Sequence, residues 1–469
     1  MTFQRDLAWQ QLELTYRASI AHQFARYALA LNYSLLPENV VHQAKRCVLD
    51  ALGCALGAYE APGRTICEET VKEFGGTQEA TVFCSGLRTS VLNASLVNSF
   101  LVRFLDYSDV GGGGHNSDAL SSILAVAERG KSSGKDFLTS LVISYELGAR
   151  FRESLIQPLE PKGWTSDIRA GLNQPPALGK LMGLNEEQIA NAIGICLSHT
   201  LPLGILDAHR EENVMAKNLR FGWAAHDAIM ACALAKRGFT GPVRIVESDA
   251  GIRGVIVGGE IDLERLTDFS GWRILKNWFK AMPTNATTAA HVFCTLHIVK
   301  EQNLKPEDIA AVHIKAPPRE SIHTTTPSKK YPRNAESADH SAFYGNALAI
   351  KERAFGPDSI QPEKFTDPVV LDLIEKIAVE ADTSLGRYSG ASEVITTDGR
   401  RYYKRIDTIH GHADDPLTDK ELEDKFSEMA LKHMSREHIG KIFDICWKLE
   451  KLDDLGKLTK LMIFPKLNS

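Results

Sequence analysis

The sequence lacks the paired cysteines that bind zinc or build a disulfide framework. Its eight cysteines are scattered over 469 residues without any Cys-x-x-Cys spacing, a pattern that favours reduced, packed thiols over disulfides, zinc or iron–sulfur ligation. It also lacks an apolar run of transmembrane length and a cationic, apolar leader segment at its start. We therefore expect a cytoplasmic protein with no membrane partner and no metal.

Positive charge is not in excess either. Lys and Arg number 54 against 59 Asp and Glu, which leaves a net charge of −5 at pH 7, so the composition does not favour a nucleic acid partner. The glycine run at 111–114 is not followed by Gly-Lys-Ser/Thr, and His-Glu-x-x-His and Gly-x-Ser-x-Gly are missing. Phosphate-loop, zinc-protease and serine-hydrolase chemistry therefore have no motif here. An anionic small molecule would have to be held by local cations.

The most informative stretch combines acids, glycines and a histidine. Asp106-Tyr107-Ser108-Asp109-Val110 precedes four glycines, which lead into His115-Asn116-Ser117-Asp118. Apolar residues at 119, 120, 123, 124 and 127 recur with helical period, so we expect a helix to begin near His115, with Asn116 or Ser117 as its N-cap. The positive end of a helix disfavours an imidazolium and attracts carboxylates. The stretch predicts a titratable imidazole beside an anion site; a solvated glycine-rich loop tip is the alternative interpretation.

Helical patterns fill the chain up to residue 271 and again from residue 408. Around Trp272 the pattern changes: residues 309–315 alternate as a strand, and Asp398-Gly399 indicates a type I′ hairpin turn between two further strands. Helical patterns within this middle region lie at 286–301, 338–353 and 367–380. The sequence therefore predicts a mixed α/β region inside a helical chain, with a tail that returns to pack on the first domain.

Two charge pairs lie on predicted helices. Glu146 and Arg150 stand at i and i+4, and we interpret them as a paired surface or interface charge rather than as catalytic groups. Lys217 and Arg220 lie one turn apart at the start of a helix, where the dipole disfavours cations. They either receive a substrate carboxylate or occupy an exposed first turn. Residues 228–235, further along this helix, are almost all apolar and are expected to be buried.

Several motifs occur in a specific order along the chain. They are Asp106-Tyr107-Ser108-Asp109 with His115-Asn116-Ser117-Asp118, residues 216–222, residues 238–242, Asp339-His340-Ser341 with Tyr344, and Gly411-His412 with residues 415–418. Together they resemble the MmgE/PrpD family, which includes 2-methylcitrate dehydratases, cis-aconitate decarboxylases and iminodisuccinate epimerases. The resemblance implies a mainly α protein with an α+β insert: a large all-helical domain at 1–271 and 408–469 and a smaller α/β lid domain at 272–407. It also implies a homodimer without metal or organic cofactor.

The resemblance also assigns positions in the site. Asp106 and His115 match active-site positions, Lys217 matches a cationic position, Tyr344 matches a lid residue that faces the cleft, and Lys280 lies in the segment by which the lid reaches the site. Many relatives carry two further histidines, and their places are taken here by Thr165 and Asn285. Losing two potential proton carriers disfavours a decarboxylase. The four glycines suggest a roomier or more adaptable pocket.

The implied function is a cofactor-independent hydro-lyase, similar to 2-methylcitrate dehydratase, that eliminates water from a citrate-like di- or tricarboxylate. His115 is expected to be the main proton-transfer residue, with Asp106 orienting it or acting with it. Lys217 and Lys280 would clamp carboxylates, and Arg103 is either a further clamp or a partner of Asp106. The other expected substrate contacts are Tyr344, Asp109, Asn285 and Thr165. An epimerase, isomerase or decarboxylase acting on a related acid, and a degenerate anion-binding member, are the alternatives.

Overall fold

The computed structural model describes residues 2–111, 114–207 and 211–464. Gly112 and Gly113, in the middle of the glycine run, lie outside the described residues. Within the described part of the chain, no helix combines the length and the apolarity that a bilayer crossing requires.

The first part of the chain is helical. Its helices are α1 (Thr2–Arg17), α2 (Ile20–Ala30), α3 (Glu38–Gly57), α4 (Pro62–Phe74), α5 (Val91–Phe104), α6 (Leu120–Gly130), α7 (Gly134–Ser154), α8 (Ala170–Leu181), α9 (Glu186–Leu197), α10 (Ala216–Lys236) and α11 (Leu263–Leu266). A short antiparallel ribbon, β1 (Ala80–Thr81) with β2 (Arg88–Thr89), lies between α4 and α5. The helices expected from apolar periodicity in this part are confirmed.

A smaller mixed sheet with its helices follows. The helices are α12 (Ala286–Glu301), α13 (Pro318–His323), α14 (Pro327–Lys330), α15 (Ala335–Ala338), α16 (Ala342–Glu352), α17 (Pro362–Phe365) and α18 (Pro368–Glu375), and the strands are β3 (Ile309–Ala316), β4 (Ile377–Ala381), β5 (Gly390–Thr396) and β6 (Arg401–Ile406). The strand order is β4-β3-β5-β6, with β3 parallel to β4 and antiparallel to β5. The hairpin of β5 and β6 turns at Gly399, whose φ of +85° a side chain would oppose. A mainly α fold with an α+β insert is therefore confirmed.

One expected helix is partly wrong. Residues 367–380 were expected to be helical throughout, but α18 stops at Glu375 and Ile377 begins β4. The pairing partner of β4 is β3, sixty-odd positions earlier in the chain. Because that ladder satisfies the backbone of a short, ambiguous apolar run, a distant contact overrides the local helical pattern.

The C-terminal tail returns to the helical part, as expected. Its helices are α19 (Asp419–Ala430), α20 (Arg436–Trp447) and α21 (Gly456–Leu461), and α19 packs against α3. Lys425 of α19 is buried there, and its Nζ donates to Asp50 Oδ1 at 2.6 Å and to the carbonyl oxygens of Tyr107 at 2.7 Å and Lys280 at 2.9 Å. The tail therefore ties together two chain segments that are far apart in sequence, at 107 and 280.

Two large apolar cores lie on either side of these segments. One gathers buried residues between Ile20 and Phe279 with those between Leu417 and Met462. The other gathers residues between Met282 and Val394, with Cys54 of α3, Met429 of α19, and Leu105 and Tyr107 just after α5. We propose that these cores mark the discontinuous helical domain and the inserted lid, with boundaries at 272 and 408. Ile274 and Phe279, just beyond the first boundary, still pack in the first core and form the junction.

Glu146 and Arg150 do not form a surface or interface pair. Both side chains are fully buried and bonded to each other. Arg150 also donates to the carbonyl oxygens of Asp268 at 2.8 Å and Ser270 at 3.2 Å, and Glu146 accepts from the amide of Ile274 at 2.8 Å. The pair therefore fixes the chain segment that leads from the helical part into the lid, a role that helical spacing alone does not indicate.

Candidate active site

A cavity of about 450 Å³ lies between the helical part and the lid. On the helical side its lining comes from the end of α5, the 106–115 loop and the loop before α8; on the lid side it comes from the start of α12, from α13 and from residues 387–388. Of the residues expected to act, Arg103, Asp106, His115, Lys280, Thr165 and Asn285 line it.

Asp106 is buried and lines this cavity just after α5 ends. Its φ of +46° places it in the left-handed region, which aspartate tolerates better than most residues. Arg103 Nη1 donates to Asp106 Oδ1 at 2.5 Å, and Lys280 Nζ donates to Oδ2 at 2.8 Å. Burial opposes ionisation, but Lys280 and Arg103 outweigh it and hold the pKa of Asp106 well below its ordinary value. Asp106 is therefore an anion that accepts from two cations. Arg103 is its ion-pair partner, which is one of the two roles expected for that residue.

A backbone bridge places Lys280 opposite Asp106. The amides and carbonyls of Val110 and Trp278 bond reciprocally at 2.8 and 2.9 Å. Lys280, two residues beyond Trp278, also donates to the Asp106 carbonyl at 2.5 Å. The site is thus assembled across the junction of the two parts rather than within either one.

His115 lies where a helix begins, as expected, and precedes a 3-10 turn (Asn116–Ala119) that runs into α6. Its Nδ1 lies 2.7 Å from the Asp109 carbonyl oxygen, which can only accept, so Nδ1 carries the proton. Nε2, with its lone pair, lies 3.6 Å from Asp106 Oδ1. Burial first, and then Arg103 and Lys280, lower the pKa of His115 well below its ordinary value. The imidazole is therefore neutral, and its unprotonated Nε2 lies on the side of the Asp106 carboxylate.

The described glycines are tightly packed rather than roomy. Gly111 and Gly114 bond to each other through their backbones at 2.8 and 3.1 Å. A Cβ on Gly111 would lie 1.6 Å from Asn277 Oδ1, and one on Gly114 would lie 2.9 Å from the Arg169 guanidinium. At these two positions the absence of a side chain lets Asn277 and Arg169 approach the backbone. The expectation of an enlarged pocket is therefore wrong there. The two middle glycines lie outside the described residues.

Asp109 does not line the cavity. Its carboxylate is fully buried and accepts from the amide of Ser117 at 3.2 Å and from Asn277 Nδ2. Burial raises its pKa. Its carbonyl positions His115, so Asp109 braces the loop instead of contacting substrate as expected.

Tyr344 also lies away from the cavity. Its hydroxyl donates to the Ser359 carbonyl oxygen, and its ring meets Phe365 edge-on at 5.5 Å. It is fully buried in the lid core. The expectation that Tyr344 faces the cleft is therefore wrong for this conformation, because the hydroxyl already has a buried acceptor.

Lys217 of α10 contacts the same group of charged side chains, but not from the cavity. It is fully buried, does not line the cavity, and its Nζ donates to Asp339 Oδ2 at 2.9 Å. The other oxygen of Asp339 contacts His340 Nδ1, and His340 lines the cavity. Lys217 and His115 therefore converge on one site, but the ammonium group is bonded to a protein carboxylate and is not directed at the substrate space.

Thr165 and Asn285, the two positions without histidine, line the cavity and cap helical turns. Thr165 Oγ1 accepts from the amide of Asp167 at 3.2 Å, and Asn285 Oδ1 accepts from the amide of Thr287 at 3.0 Å. These capping bonds use acceptor oxygens only, so among the described residues the Thr165 hydroxyl and the Asn285 amide group both keep donors to offer. Neither residue can carry a proton at neutral pH.

Sequence reasoning missed part of the site. The residues it did not select are Asp339, His340, His323, Arg319 and Arg387. Asp339 and His340 lie in the motif Asp339-His340-Ser341 that the sequence analysis noted. An aspartate directly before a histidine was therefore the sequence signal that could have identified them. Arg319 and Arg387 belong to α13 and to the loop before β5, and only the lid topology brings them to the cavity.

The cluster favours an anion over a divalent cation. One oxygen each of Asp106 and Asp339 and a ring nitrogen of His340 lie within 4.8 Å of one another. Lys280, Arg103 and Lys217 already donate to the two carboxylates, so three cations face two anions and the formal charge is +1 with both imidazoles neutral. A metal ion there would meet like charge and occupied lone pairs.

Comparison with known protein families identifies the family of this chain. Residues 22–264 match the MmgE/PrpD N-terminal domain, and residues 282–449 match the MmgE/PrpD C-terminal domain. The chain therefore belongs to the MmgE/PrpD family, as its ordered motifs indicated.

The similar family members include cis-aconitate decarboxylases and 2-methylcitrate dehydratases. The chain is 24% identical to the cis-aconitate decarboxylase of Homo sapiens over 95% of both chains, and 24% identical to that of Mus musculus over 96% of this chain and 94% of the mouse protein. It is 25% identical to the 2-methylcitrate dehydratase of Escherichia coli (strain K12) over 45% of this chain and 46% of that protein. Both names denote lyases.

Proposed function

We propose that the protein is a lyase that eliminates water from a small di- or tricarboxylate of the 2-methylcitrate type, without an organic cofactor. The observation that carries this proposal is the neutral imidazole of His115 beside a buried cluster of net positive charge, at one cavity. A neutral base is needed to remove a proton next to a carboxylate, and fixed cations stabilise the negative charge that develops.

The cavity offers cations for more than one carboxylate. Near Asp106, Lys280 keeps one N–H free beyond its two bonds, and Arg103 Nε is a buried donor without a partner among the described residues. Further out, Arg387 forms no ion pair with any residue that the structure describes and lies over the Tyr388 ring at 5.3 Å. A carboxylate at each end would hold the carbon between them close to His115 Nε2.

A decarboxylase is the second candidate. The full-length similarity to cis-aconitate decarboxylases favours it, since the dehydratase match covers less than half of this chain. The absence of histidines at Thr165 and Asn285 favours dehydration, because protonating a carbanion after loss of carbon dioxide requires a proton carrier at the carbon.

Turnover assays separate these reactions. Purified protein is incubated with 2-methylcitrate, citrate and cis-aconitate, and ultraviolet absorbance of a new conjugated double bond, release of carbon dioxide and deuterium uptake from heavy water are followed. Dehydration raises absorbance, decarboxylation releases gas, and an epimerase or isomerase forming no conjugated product exchanges deuterium without either. We expect dehydration of 2-methylcitrate or a close analogue.

His115→Gln is the matched test of the site. It should lower turnover by about 10²- to 10⁴-fold, the usual value of a general base, whereas His313→Gln, on an exposed strand position of the lid, should not. Binding of these acids without any product, seen as a thermal shift, would instead identify a degenerate family member and refute the proposal.

A homodimer also remains a proposal. Trp223 and Met230 lie seven positions apart on one face of α10 and are 55% and 39% exposed, although Met230 falls within residues 228–235, which were expected to be buried. Large apolar side chains left exposed on one helix face are often covered by a partner. Light scattering of the purified protein measures the mass directly.

A further inference from the structure

A second imidazole faces the cavity from the lid. His340 is buried, lines the cavity, and its Nδ1 contacts the carboxylate of Asp339. Nδ1 also lies 3.5 Å from Lys217 Nζ, but the Asp339 carboxylate is the nearer neighbour and can only accept, so Nδ1 carries a proton and Nε2 is left to exchange protons with a ligand. The arrangement is an acid-imidazole pair close to Asp106, whose carboxylate His115 also approaches.

Asp339 is fixed from three sides. Lys217 Nζ donates to its Oδ2 at 2.9 Å, and its backbone carbonyl accepts from Thr284 Oγ1 at 2.6 Å and from the amide of Asn285 at 2.7 Å. All of these groups are in the lid except Lys217, which reaches across from α10. The orientation of His340 therefore depends on contact between the two parts of the molecule.

The two imidazoles differ in their charged neighbours. Burial lowers the pKa of both, but at His115 the next contributions are Arg103 and Lys280, which lower it further, whereas at His340 the next contribution is Asp339, which raises it. Asp106 favours the charged form of His340 as well, Lys217 opposes it, and the neighbouring ring of His323 lies 5.6 Å away. A bound polycarboxylate adds negative charge and favours the imidazolium. Paired titratable groups with opposed surroundings are the usual signature of a base and an acid.

We infer that His340 is the general acid that protonates the departing hydroxyl, and that Lys217 acts through Asp339 as a positioning residue rather than as a carboxylate clamp. This inference rests on the proposed dehydration. His115 takes the proton from the carbon next to a carboxylate, and the C–H electron pair becomes the new C=C bond. The C–O bond breaks with its pair on oxygen, which receives the proton of the His340 imidazolium and leaves as water. Proton exchange with solvent then returns His115 to neutral, and His340 takes up a proton again when the next polycarboxylate binds.

A leaving group that needs no proton tests the inference. The probes are 2-methylcitrate and its analogue in which chlorine replaces the hydroxyl, since chloride departs without an acid. His340→Gln should lower elimination of water by about 10²-fold or more and should eliminate chloride within about threefold of the wild-type rate. His115→Gln should lose both reactions, because both need the base. His313→Gln, outside the cavity, serves as the control.

Lys217→Met uses the same pair of probes. A positioning residue for the acid loses water elimination and keeps chloride elimination, whereas a clamp on substrate carboxylate loses both to the same extent; Lys217→Arg should restore part of the rate. Water elimination by His340→Gln within threefold of wild type, or parallel loss of both reactions in it, overturns the inference while leaving the proposed function intact. Wild-type protein that eliminates neither leaving group, or that only releases carbon dioxide from cis-aconitate, overturns both.

Discussion

Asp118 makes the stability of this protein depend on pH in a way that one substitution should remove. Its carboxylate is buried in the first turn after His115, and neither oxygen has a hydrogen-bond partner among the described residues. Arg169 Nη2, which bonds the His115 carbonyl at 2.8 Å, is 3.8 Å away. Burial outweighs the attraction of Arg103 and Arg169 and raises the pKa of Asp118 from 3.8 to about 7.

The sign and size follow from proton linkage. Between about pH 4 and pH 7 the folded protein holds a proton on Asp118 that the unfolded chain has released, so the free energy of unfolding falls as pH rises. A shift of about 3 pKa units, at about 1.4 kcal/mol per unit, corresponds to about 4 kcal/mol across this window. Asparagine has the same shape and does not titrate, so the free energy of unfolding of Asp118→Asn should not show this fall between pH 4 and pH 7.

Thermal unfolding at a series of pH values measures the effect. With an unfolding entropy near 2 cal/mol/K per residue, about 4 kcal/mol corresponds to about 4 °C in a chain of this length. The Tm of Asp118→Asn relative to wild type should therefore rise by several degrees between pH 4.5 and pH 8. Asp444→Asn, at an exposed carboxylate on α20, is the control and should show no such trend. A Tm difference that stays constant over this range would refute the argument from burial.

The remaining predictions concern packing and assembly. Lys425→Met leaves Asp50 as a buried, unpaired charge and releases the carbonyl bonds to 107 and 280, so it should cost about 3 to 5 kcal/mol of stability by thermal or denaturant unfolding; a loss under 1 kcal/mol would contradict this. Gly111→Ala places a Cβ on Asn277 and should lower activity more than Gly440→Ala does on α20, where an added Cβ meets nothing within 4 Å; equal activity of the two variants would argue against a tightly packed loop. Trp223→Glu should convert a dimer to a monomer by light scattering, and an unchanged mass would exclude this face of α10 as the interface.

Local signals were enough to predict much of the fold. Apolar periodicity located the helices, and Asp398-Gly399 located the hairpin. These features depend on residues close together in sequence. The strand β4 depends on a partner far along the chain, and so it was read as helix.

The sequence predicted which residues would meet at this cavity better than it predicted where their side chains point. His115, Asp106 and Lys280 share one cavity, and His115 and Lys217 converge on one cluster, as the resemblance implied. Which way an ammonium or phenol points depends on the nearest buried acceptor, and for Lys217 and Tyr344 that acceptor lies across a tertiary contact. The same dependence explains why Asp109 was expected to contact substrate and instead braces the loop.

We propose that His115 and the Asp106 cluster bind a polycarboxylate in the cavity between the two parts of the chain. A crystal structure of the wild-type protein with citrate bound measures this directly. It should show one carboxylate of citrate bonded to Lys280 or Arg103, a methylene carbon about 3 to 3.5 Å from His115 Nε2, and the hydroxyl facing His340. Citrate bound elsewhere on the molecule, or in the cavity with its carbons out of reach of both imidazoles, would contradict the account.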